Sequence, residues 1–480
     1  MIPARFGRAL AELAPLSERF ALAGHRLYLV GGAVRDLLVD AAIDGFDFDL
    51  TTDARPDQTK ACLAGWADAV WNQGERFGTI GAKRRNARGD PQVFEITTFR
   101  AETYVEDSRK PDVKFASSIE TDLGRRDFTI NAMALEITGI TAGDQPALID
   151  PFDGAADLAH GVLRTPRSPE ISFDDDPLRM LRAARFAARF DLKPTTALVD
   201  AVVERGSRLD IVSAERLRDE LDKVMVLDHP AAALWFCVDT GLADHFLPEL
   251  PGLRLEHDPI HRHKDVLSHT IAVVENVRPP PPGREPAFDF RITRLAALFH
   301  DVGKPRTRGY QAGKGTTFHH HDIVGARMTR KRMEALRYPT ADVDAVTELV
   351  AMHLRFHTYK MGWSDSAVRR YVRDAGPLLH ELNVLTRCDC TTRDARKAAV
   401  LSTRMDDLEV RIAEMAAAEE LASIRPELDG ADVMSILGIP PGKEVGEALG
   451  FLLEIRLDDG LVGREVATDR LRRWYASRSD

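Results

Sequence analysis

Cysteine is scarce in this chain. Its four residues (Cys62, Cys237, Cys388 and Cys390) are too few and too scattered for a disulfide framework. Cys388 and Cys390 stand one residue apart, with no second pair to complete a zinc site. Long apolar runs are missing too: no stretch approaches the ~20 residues that cross a bilayer. The opening MIPARFGRALAEL is broken by Arg and Glu before an apolar core of signal-peptide length develops. These absences lead to the expectation of a soluble cytoplasmic protein with no membrane partner. No low-complexity tract or internal repeat is visible. The apolar fraction of 44% and charged fraction of 29% are ordinary globular values, which excludes wholesale disorder. An excess of positive charge is also lacking, since 65 basic and 75 acidic residues give a net charge of −10. That sum argues against a nucleic-acid partner unless a basic face is confined to one part of the chain.

A length of 480 residues exceeds one core and points to three or four domains. Residues 1–150 mix short strand-like runs with helical ones: LYLVGGAVRD reads as a strand breaking into a helix, while FDFDLTT and QVFEITTFR read as strands. Residues 151–252 turn to a period of 3.6, as in LRMLRAARFAARF and ERLRDELDKVMV. Residues 253–395 hold most of the histidines and a Pro-rich loop, and residues 396–480 are rich in Ala, Glu, Leu and Arg. The expected fold class is α+β, a mixed head followed by an all-α neck, body and tail.

In a strand, FDFDL presents Asp47 and Asp49 on one face, with Phe46, Phe48 and Leu50 on the other. Adjacent carboxylates repel each other and are best tolerated around a hard cation, which favours Mg²⁺. An isolated D-x-D equally describes a solvated acidic strand face. Gly31 and Gly32 stand where a strand meets a helix, a place where backbone N–H groups approach phosphate, and Arg35 follows one turn later. Arg179, Arg182, Arg185 and Arg189 recur at helical spacing, extended by Lys193. This stripe is either a local basic surface or an ordinary solvated face. Further on, His300-Asp301 closes an apolar helix pattern and has company in His269, His321, His353 and Asp389.

LVGGAVRD, FDFDL, RRDFTINAMA and DDPLRMLRAARF, in that order, resemble the class II tRNA nucleotidyltransferases of the DNA polymerase β-like superfamily. The resemblance implies a polymerase β-like head in which Asp47 and Asp49 bind metal and Gly32 and Arg35 contact the triphosphate. It places Arg126 on the nucleotide, with Asp127 and Asn131 in the same motif, and makes Glu95 the candidate third carboxylate. In DDPLR, Asp176 and Arg179 would read the incoming base as a Watson–Crick edge does, with Arg182 and Arg185 near the nucleotide. Asp175 stands where many relatives carry Glu. Glu215, Arg216 and Glu220 match a motif that braces the neck helices. The implied partners are tRNA, CTP and ATP, and the implied chemistry is two-metal transfer with Mg²⁺.

The histidine-rich stretch resembles the HD superfamily of metal-dependent phosphohydrolases. That likeness implies His269, His300, Asp301 and Asp389 as ligands, with His321 and His353 completing a two-metal version. His261, His263, His319 and His320 are spare candidates. Mixed imidazole and carboxylate ligands suit Mn²⁺, Ni²⁺, Fe²⁺ or Mg²⁺. CCA addition is the leading expectation. Poly(A) polymerase, a half-enzyme adding only CC or only A, and a phosphohydrolase with a nucleotide-sensing head are the alternatives. A sensing head predicts a degraded aspartate pair, and the pair is intact. CC-adding relatives tend to lack a flexible loop, and Arg100 to Lys114 is long and polar enough to be one. The stretch from about Lys397 is a candidate contact for the tRNA elbow or, equally, a set of packing helices.

Overall fold

A computed structural model describes residues 6–39, 48–86, 88–103, 112–116, 118–141, 144–254, 265–280, 288–312, 315–356, 363–390, 395–419 and 425–478. The chain divides into two compact units, Met1–Phe246 and Leu247–Asp480. Among the described residues, no helix is long and apolar enough to cross a membrane.

The first unit opens with a helix, α1 (Phe6–Leu22), and then alternates strands and short helices. These are β1 (Leu27–Val30), α2 (Gly32–Leu38), β2 (Phe48–Thr52), α3 (Pro56–Leu63), β3 (Ala69–Trp71), β4 (Thr79–Arg85) and β5 (Pro91–Thr98). A separate hairpin of β6 (Arg100–Thr103) and β7 (Asp112–Phe115) follows, then α4 (Ile119–Gly124), β8 (Ala134–Glu136) and β9 (Leu148–Ile149). Seven strands join one sheet in the order β3-β4-β5-β2-β1-β8-β9, with β2 and β5 parallel and the other neighbours antiparallel. The ends of the Arg100–Lys114 stretch, expected as loop, are therefore paired strands; residues 104–111 lie outside the described residues.

Period-2 patterning decides which way each strand faces. In β2, Phe48 and Leu50 are buried while Asp49 is exposed. β1 is buried throughout because both of its faces are covered. Leu27 and Leu29 pack with Phe6, Leu13, Leu16 and Phe20 of α1, whereas Tyr28 and Val30 pack with Phe99, Ile119 and Leu123. The unit continues with α5 (Gly154–His160), α6 (Pro169–Asp175), α7 (Leu178–Phe190), α8 (Thr196–Arg205), α9 (Ala214–Met225), α10 (Ala231–Asp239) and α11 (Ala243–Phe246). Two short strands, β10 (Val162–Leu163) and β11 (Lys193–Pro194), pair in parallel between these helices. α7 carries the arginine stripe, packs on α9 and α10, and ends at Asp191 in the left-handed region.

The second unit is helical, built from α12 (Val266–Asn276), α13 (Phe290–Phe299) and α14 (Lys304–Thr307), then a hairpin of β12 (Arg308–Gln311) and β13 (Gly315–Phe318). α15 (His321–Ala335), α16 (Thr340–Met352), α17 (Asp365–Ala375), α18 (Leu379–Asp389) and α19 (Ala395–Glu419) follow. α13 is central: all but its first two residues are buried, and it packs against α12, α15, α16 and α18. Three last helices, α20 (Gly430–Leu437), α21 (Lys443–Asp459) and α22 (Arg464–Ala476), share a small apolar core around Leu428, Val433, Leu452 and Leu471.

Candidate active site and metal centre

The parallel pairing of β2 with β5 sets Asp49 directly opposite Glu95, so two carboxylates from neighbouring strands share one face. They form one side of a cavity of about 320 Å³ in the first unit. The other side is cationic, lined by Arg100, Arg125, Arg126, Arg179, Arg182 and Arg216 together with Asp127 and Asp176. Asp47, the partner of Asp49 in the D-x-D pattern, lies outside the described residues. An acidic wall facing a guanidinium wall is the charge layout that a nucleoside triphosphate with a bound cation requires.

The arginines are held by buried acids. Asp122 is fully buried and pairs with Arg125 Nε (3.2 Å) and Arg126 Nη2 (3.4 Å). Gly31 lies beneath Arg126 at φ 69°, a conformation that favours glycine, and a Cβ there would come within 2.7 Å of Arg126 Nη1 and displace that guanidinium. Arg179, on the first turn of α7, donates to Ser172 Oγ (2.9 Å) and to the Arg125 carbonyl (2.5 Å). Asp176 accepts from the Leu178 N–H (3.2 Å) and from Arg216 Nη2 (2.8 Å).

Behind this wall runs a chain of paired charges. Arg182 donates twice to Asp127 Oδ2 (2.9 and 2.6 Å), and Asn131 Nδ2 donates to Asp127 Oδ1 (3.0 Å). Burial alone would raise the Asp127 pKa, but the Arg182 guanidinium and the Asn131 amide outweigh it and hold the carboxyl far below its usual range. Arg185 is paired with buried Glu220 (2.7 Å), which also accepts from Lys223 (3.0 Å). Arg35 is buried, bonded to Asn131 and Asp36, and capped by the Phe186 and Phe190 rings at 5.2 and 4.5 Å.

The structure thus brings Asp49, Glu95, Arg126, Asp127, Asp176, Arg179 and Arg182 to one cavity. Gly32, Arg35, Asn131, Asp175 and Arg185 do not line it. The α7 stripe is not the open basic surface its spacing suggested. Arg179 and Arg185 are buried, and Arg182 and Arg185 are neutralised by carboxylates. Arg216, read from the sequence as a brace, lines the cavity beside Asp176. The available signal was its position four residues before Glu220, which puts both on one face of α9.

In the second unit, His300 and Asp301 follow α13, His321 opens α15, His353 follows α16, Asp389 ends α18 and His269 lies in α12. Two groups result, His269–His300–Asp389 and Asp301–His321–His353, each with ligand atoms within 4.8 Å of one another. Asp301 lies between them, with Oδ2 3.2 Å from His300 Nε2 and Oδ1 3.4 Å from His321 Nε2. His300, His321 and His353 each place Nδ1 on the carbonyl three residues earlier (2.8, 2.8 and 2.6 Å). An Nδ1–H donated there leaves Nε2 as a lone pair turned inward. The Nε2 atoms of His300 and His269 are 3.2 Å apart, and those of His353 and His321 3.3 Å. Where both rings keep an Nδ1–H, as His353 and His321 do, two Nε2 lone pairs meet, and a proton or a metal ion between them relieves the repulsion. Burial lowers the His300 pKa, yet Asp301 and Asp389 overcome it and raise the group to about 10; burial and the His300 charge push His353 down to about 4. The carboxylates demand positive charge here, and the nitrogen–oxygen donor set fits divalent metal.

The A-adding tRNA nucleotidyltransferase of Deinococcus radiodurans is 31% identical over 453 residues, 93% of this chain and 95% of that one. The chain belongs to the tRNA nucleotidyltransferase family. Three family models match its parts: "Poly A polymerase head domain" over residues 27–164, "Probable RNA and SrmB- binding site of polymerase A" over 190–253, and "HD domain" over 266–394. The Lactobacillus helveticus CCA-adding enzyme is 34% identical over 252 residues, which span 52% of this nucleotidyltransferase-family chain and 57% of that enzyme. The structure of the Bacillus stearothermophilus CCA-adding enzyme in complex with CTP superposes with a TM-score of 0.68 at 21% identity, over 100% of this chain and 99% of that one. This family member therefore shares that fold, a polymerase β-like head followed by a helical body with an HD domain. Nucleotidyltransferases and HD proteins are generally users of divalent metal.

Proposed function

We propose that this protein adds CMP and AMP from CTP and ATP to the 3′ end of tRNA, building or repairing CCA without a nucleic-acid template. The observation that carries the reading is the single cavity in which Asp49 and Glu95 face Arg126, Asp176, Arg179 and Arg182. Mg²⁺ held by Asp47 and Asp49, with Glu95 beside them, would supply activation of the acceptor 3′-hydroxyl and neutralise charge at the α-phosphate. Arg126 and its neighbours hold the triphosphate in line for attack. Asp176 accepts from the amino group of the incoming base while Arg179 donates to its ring nitrogen or carbonyl oxygen. Arg179 is fixed by Ser172 and the Arg125 carbonyl, so its orientation is set before the nucleotide arrives. Nothing covalent is asked of the protein, and pyrophosphate leaves.

Addition of A alone is the second reading, favoured because the relative matching nearly the whole chain is an A-adding enzyme. The two are separated by gel-resolved extension of tRNA transcripts ending before CCA, after CC and after CCA, with CTP, ATP or both. Addition of C, C and A followed by arrest supports CCA addition. Extension only of the CC-ended transcript, with A, replaces it by the second reading, and long A-tracts indicate poly(A) synthesis.

The histidine centre is the seat of a second, phosphohydrolase activity. His269, His300, Asp301 and Asp389 would hold one divalent ion, such as Mn²⁺, Ni²⁺, Fe²⁺ or Mg²⁺, and Asp301, His321 and His353 a second, which would supply Lewis-acid activation of water and phosphate. The support is the Asp301 carboxylate standing between the two ligand groups. Loss of phosphatase activity on p-nitrophenyl phosphate in Asp389→Asn, with tRNA extension retained, is the expected result.

A further inference from the structure

The β12–β13 hairpin grows out of the histidine centre. Its leading helix, α14, begins three residues after Asp301, and β13 ends three residues before His321, whose Nδ1 bonds the Phe318 carbonyl. The centre itself is closed on its deep side, where His300 and Asp301 are each 1% exposed, and reachable at His269, Asp389 and Lys304. Lys304 Nζ is 2.6 Å from Asp301 Oδ2 and 5.8 Å from the Phe318 ring centre. Arg308 pairs across the hairpin with Phe318, and Tyr310 with Thr316. Arg308 and Tyr310 are two residues apart on one strand, so all four of these side chains belong to one face. A strip therefore leads outward from the centre: cation, ring, cation, ring, in Lys304, Phe318, Arg308 and Tyr310.

Two features of this strip have no structural explanation. Tyr310 is 72% exposed, the single aromatic among the large hydrophobic side chains exposed in the described residues. Elsewhere in the unit, Arg278, Arg291, Arg330, Arg332 and Arg387 are each tied to a carboxylate within 3.1 Å. Arg308 forms no ion pair with any described residue, and neither do Arg327, Arg404, Arg425 and Arg472 of the same unit; what sets Arg308 apart is its place on one strand face with Tyr310. In an acidic chain, an unneutralised guanidinium beside an unburied phenol forms a surface for an anionic ligand that also carries flat apolar faces. Phosphates alternating with bases meet that description, because base stacking on aromatic side chains tolerates any sequence while cations follow the backbone. An acidic peptide offers the charge without the faces.

We propose that the β12–β13 hairpin binds single-stranded nucleic acid and leads its terminal phosphate to the histidine centre. This rests on that centre being a phosphohydrolase site, and makes its substrate an oligonucleotide end in preference to a small phosphate ester. The test uses the full chain, a 4-thiouridine-labelled single-stranded RNA decamer and the double variant R308E/Y310A. Ultraviolet cross-linking is expected to mark the tryptic peptide carrying Tyr310, to be competed by unlabelled decamer and not by poly-glutamate, and to drop at least fivefold in the variant. Unchanged hydrolysis of p-nitrophenyl phosphate by the variant in the second arm shows that the unit carrying the hairpin is folded. In a second arm, manganese-loaded protein releases phosphate from a 3′-phosphorylated decamer or from p-nitrophenyl phosphate, water supplying the new oxygen on phosphorus. The variant is expected to raise KM for the decamer about tenfold and leave the small ester unchanged. Absence of cross-links at that peptide, equal competition by poly-glutamate, or equal effects on both esters overturns the proposal. If neither ester is hydrolysed, the phosphohydrolase reading fails while the cross-links still decide the hairpin's role.

Discussion

Single residues divide into those that act on the ligand and those that hold others in place, and Asp49 and Asp127 show the two cases. Asp49 is exposed on β2 beside Glu95. Asp49→Ala removes one of two repelling charges, so the melting point is expected to hold within the effect of ~0.5 kcal/mol while tRNA extension falls by at least ~10³-fold. Asp127 is the opposite case, buried and bonded to Arg182 and Asn131. Asp127→Asn leaves Arg182 with only its longer contact to Glu220 (3.6 Å), and denaturant unfolding is expected to show a loss of about 2 kcal/mol. Because the folded pKa of Asp127 is depressed, its contribution is present above the ordinary carboxylate range near ~4 and is lost as pH falls below it. The pH dependence of the melting point on the acid side should therefore flatten in the variant. Sequence pattern alone could place Asp49 on an outward face, since alternation fixes that. It could not tell that Arg35 and Arg185 are buried braces, because their burial comes from Asn131, Glu220 and two phenyl rings distant in the chain.

At the level of elements, helix ends do the positioning. His300, His321 and His353 lie at the ends of α13, α15 and α16, and each is locked by a carbonyl three residues earlier. Those carbonyls belong to the last turn of α13 and α16, and to β13 ahead of α15, where backbone acceptors are free of helical partners. The two ligand groups should bind two ions. In an Asp49→Ala background, which removes the first unit's carboxylate site, equilibrium dialysis with Mn²⁺ or Ni²⁺ is expected to give a stoichiometry near two, falling to about one when His353→Ala is added, with the His269–His300–Asp389 group retained. Strands β1, β2 and β5, the helix α7 and the apolar α13 were all legible as sequence patterns. The β6–β7 pairing was not, because Arg100–Thr103 and Asp112–Phe115 are short, polar and held by cross-strand bonds that no local periodicity announces. The role of Arg216 was likewise hidden, since it depends on α9 and the start of α7 meeting at Asp176.

On the scale of the molecule, the two candidate sites lie in different compact units, the carboxylate–arginine cavity in Met1–Phe246 and the histidine centre in Leu247–Asp480. Metal at a hundred times its dissociation constant stabilises its own unit by about 2.7 kcal/mol, which corresponds to roughly 5–10 °C. In an Asp49→Ala background, calorimetry with and without Mn²⁺ is expected to move one transition by that amount and to leave another, belonging to the first unit, in place. The net charge of −10 hid the basic site because its arginines are balanced locally by Asp122, Asp127 and Glu220. Nucleotidyl transfer is assigned to the first unit alone, and single-turnover tRNA extension with Asp49→Ala and His269→Ala side by side decides the matter. Extension should vanish in Asp49→Ala and proceed at the parent rate in His269→Ala. Extension that survives Asp49→Ala, or stops in a folded His269→Ala protein, would contradict that assignment.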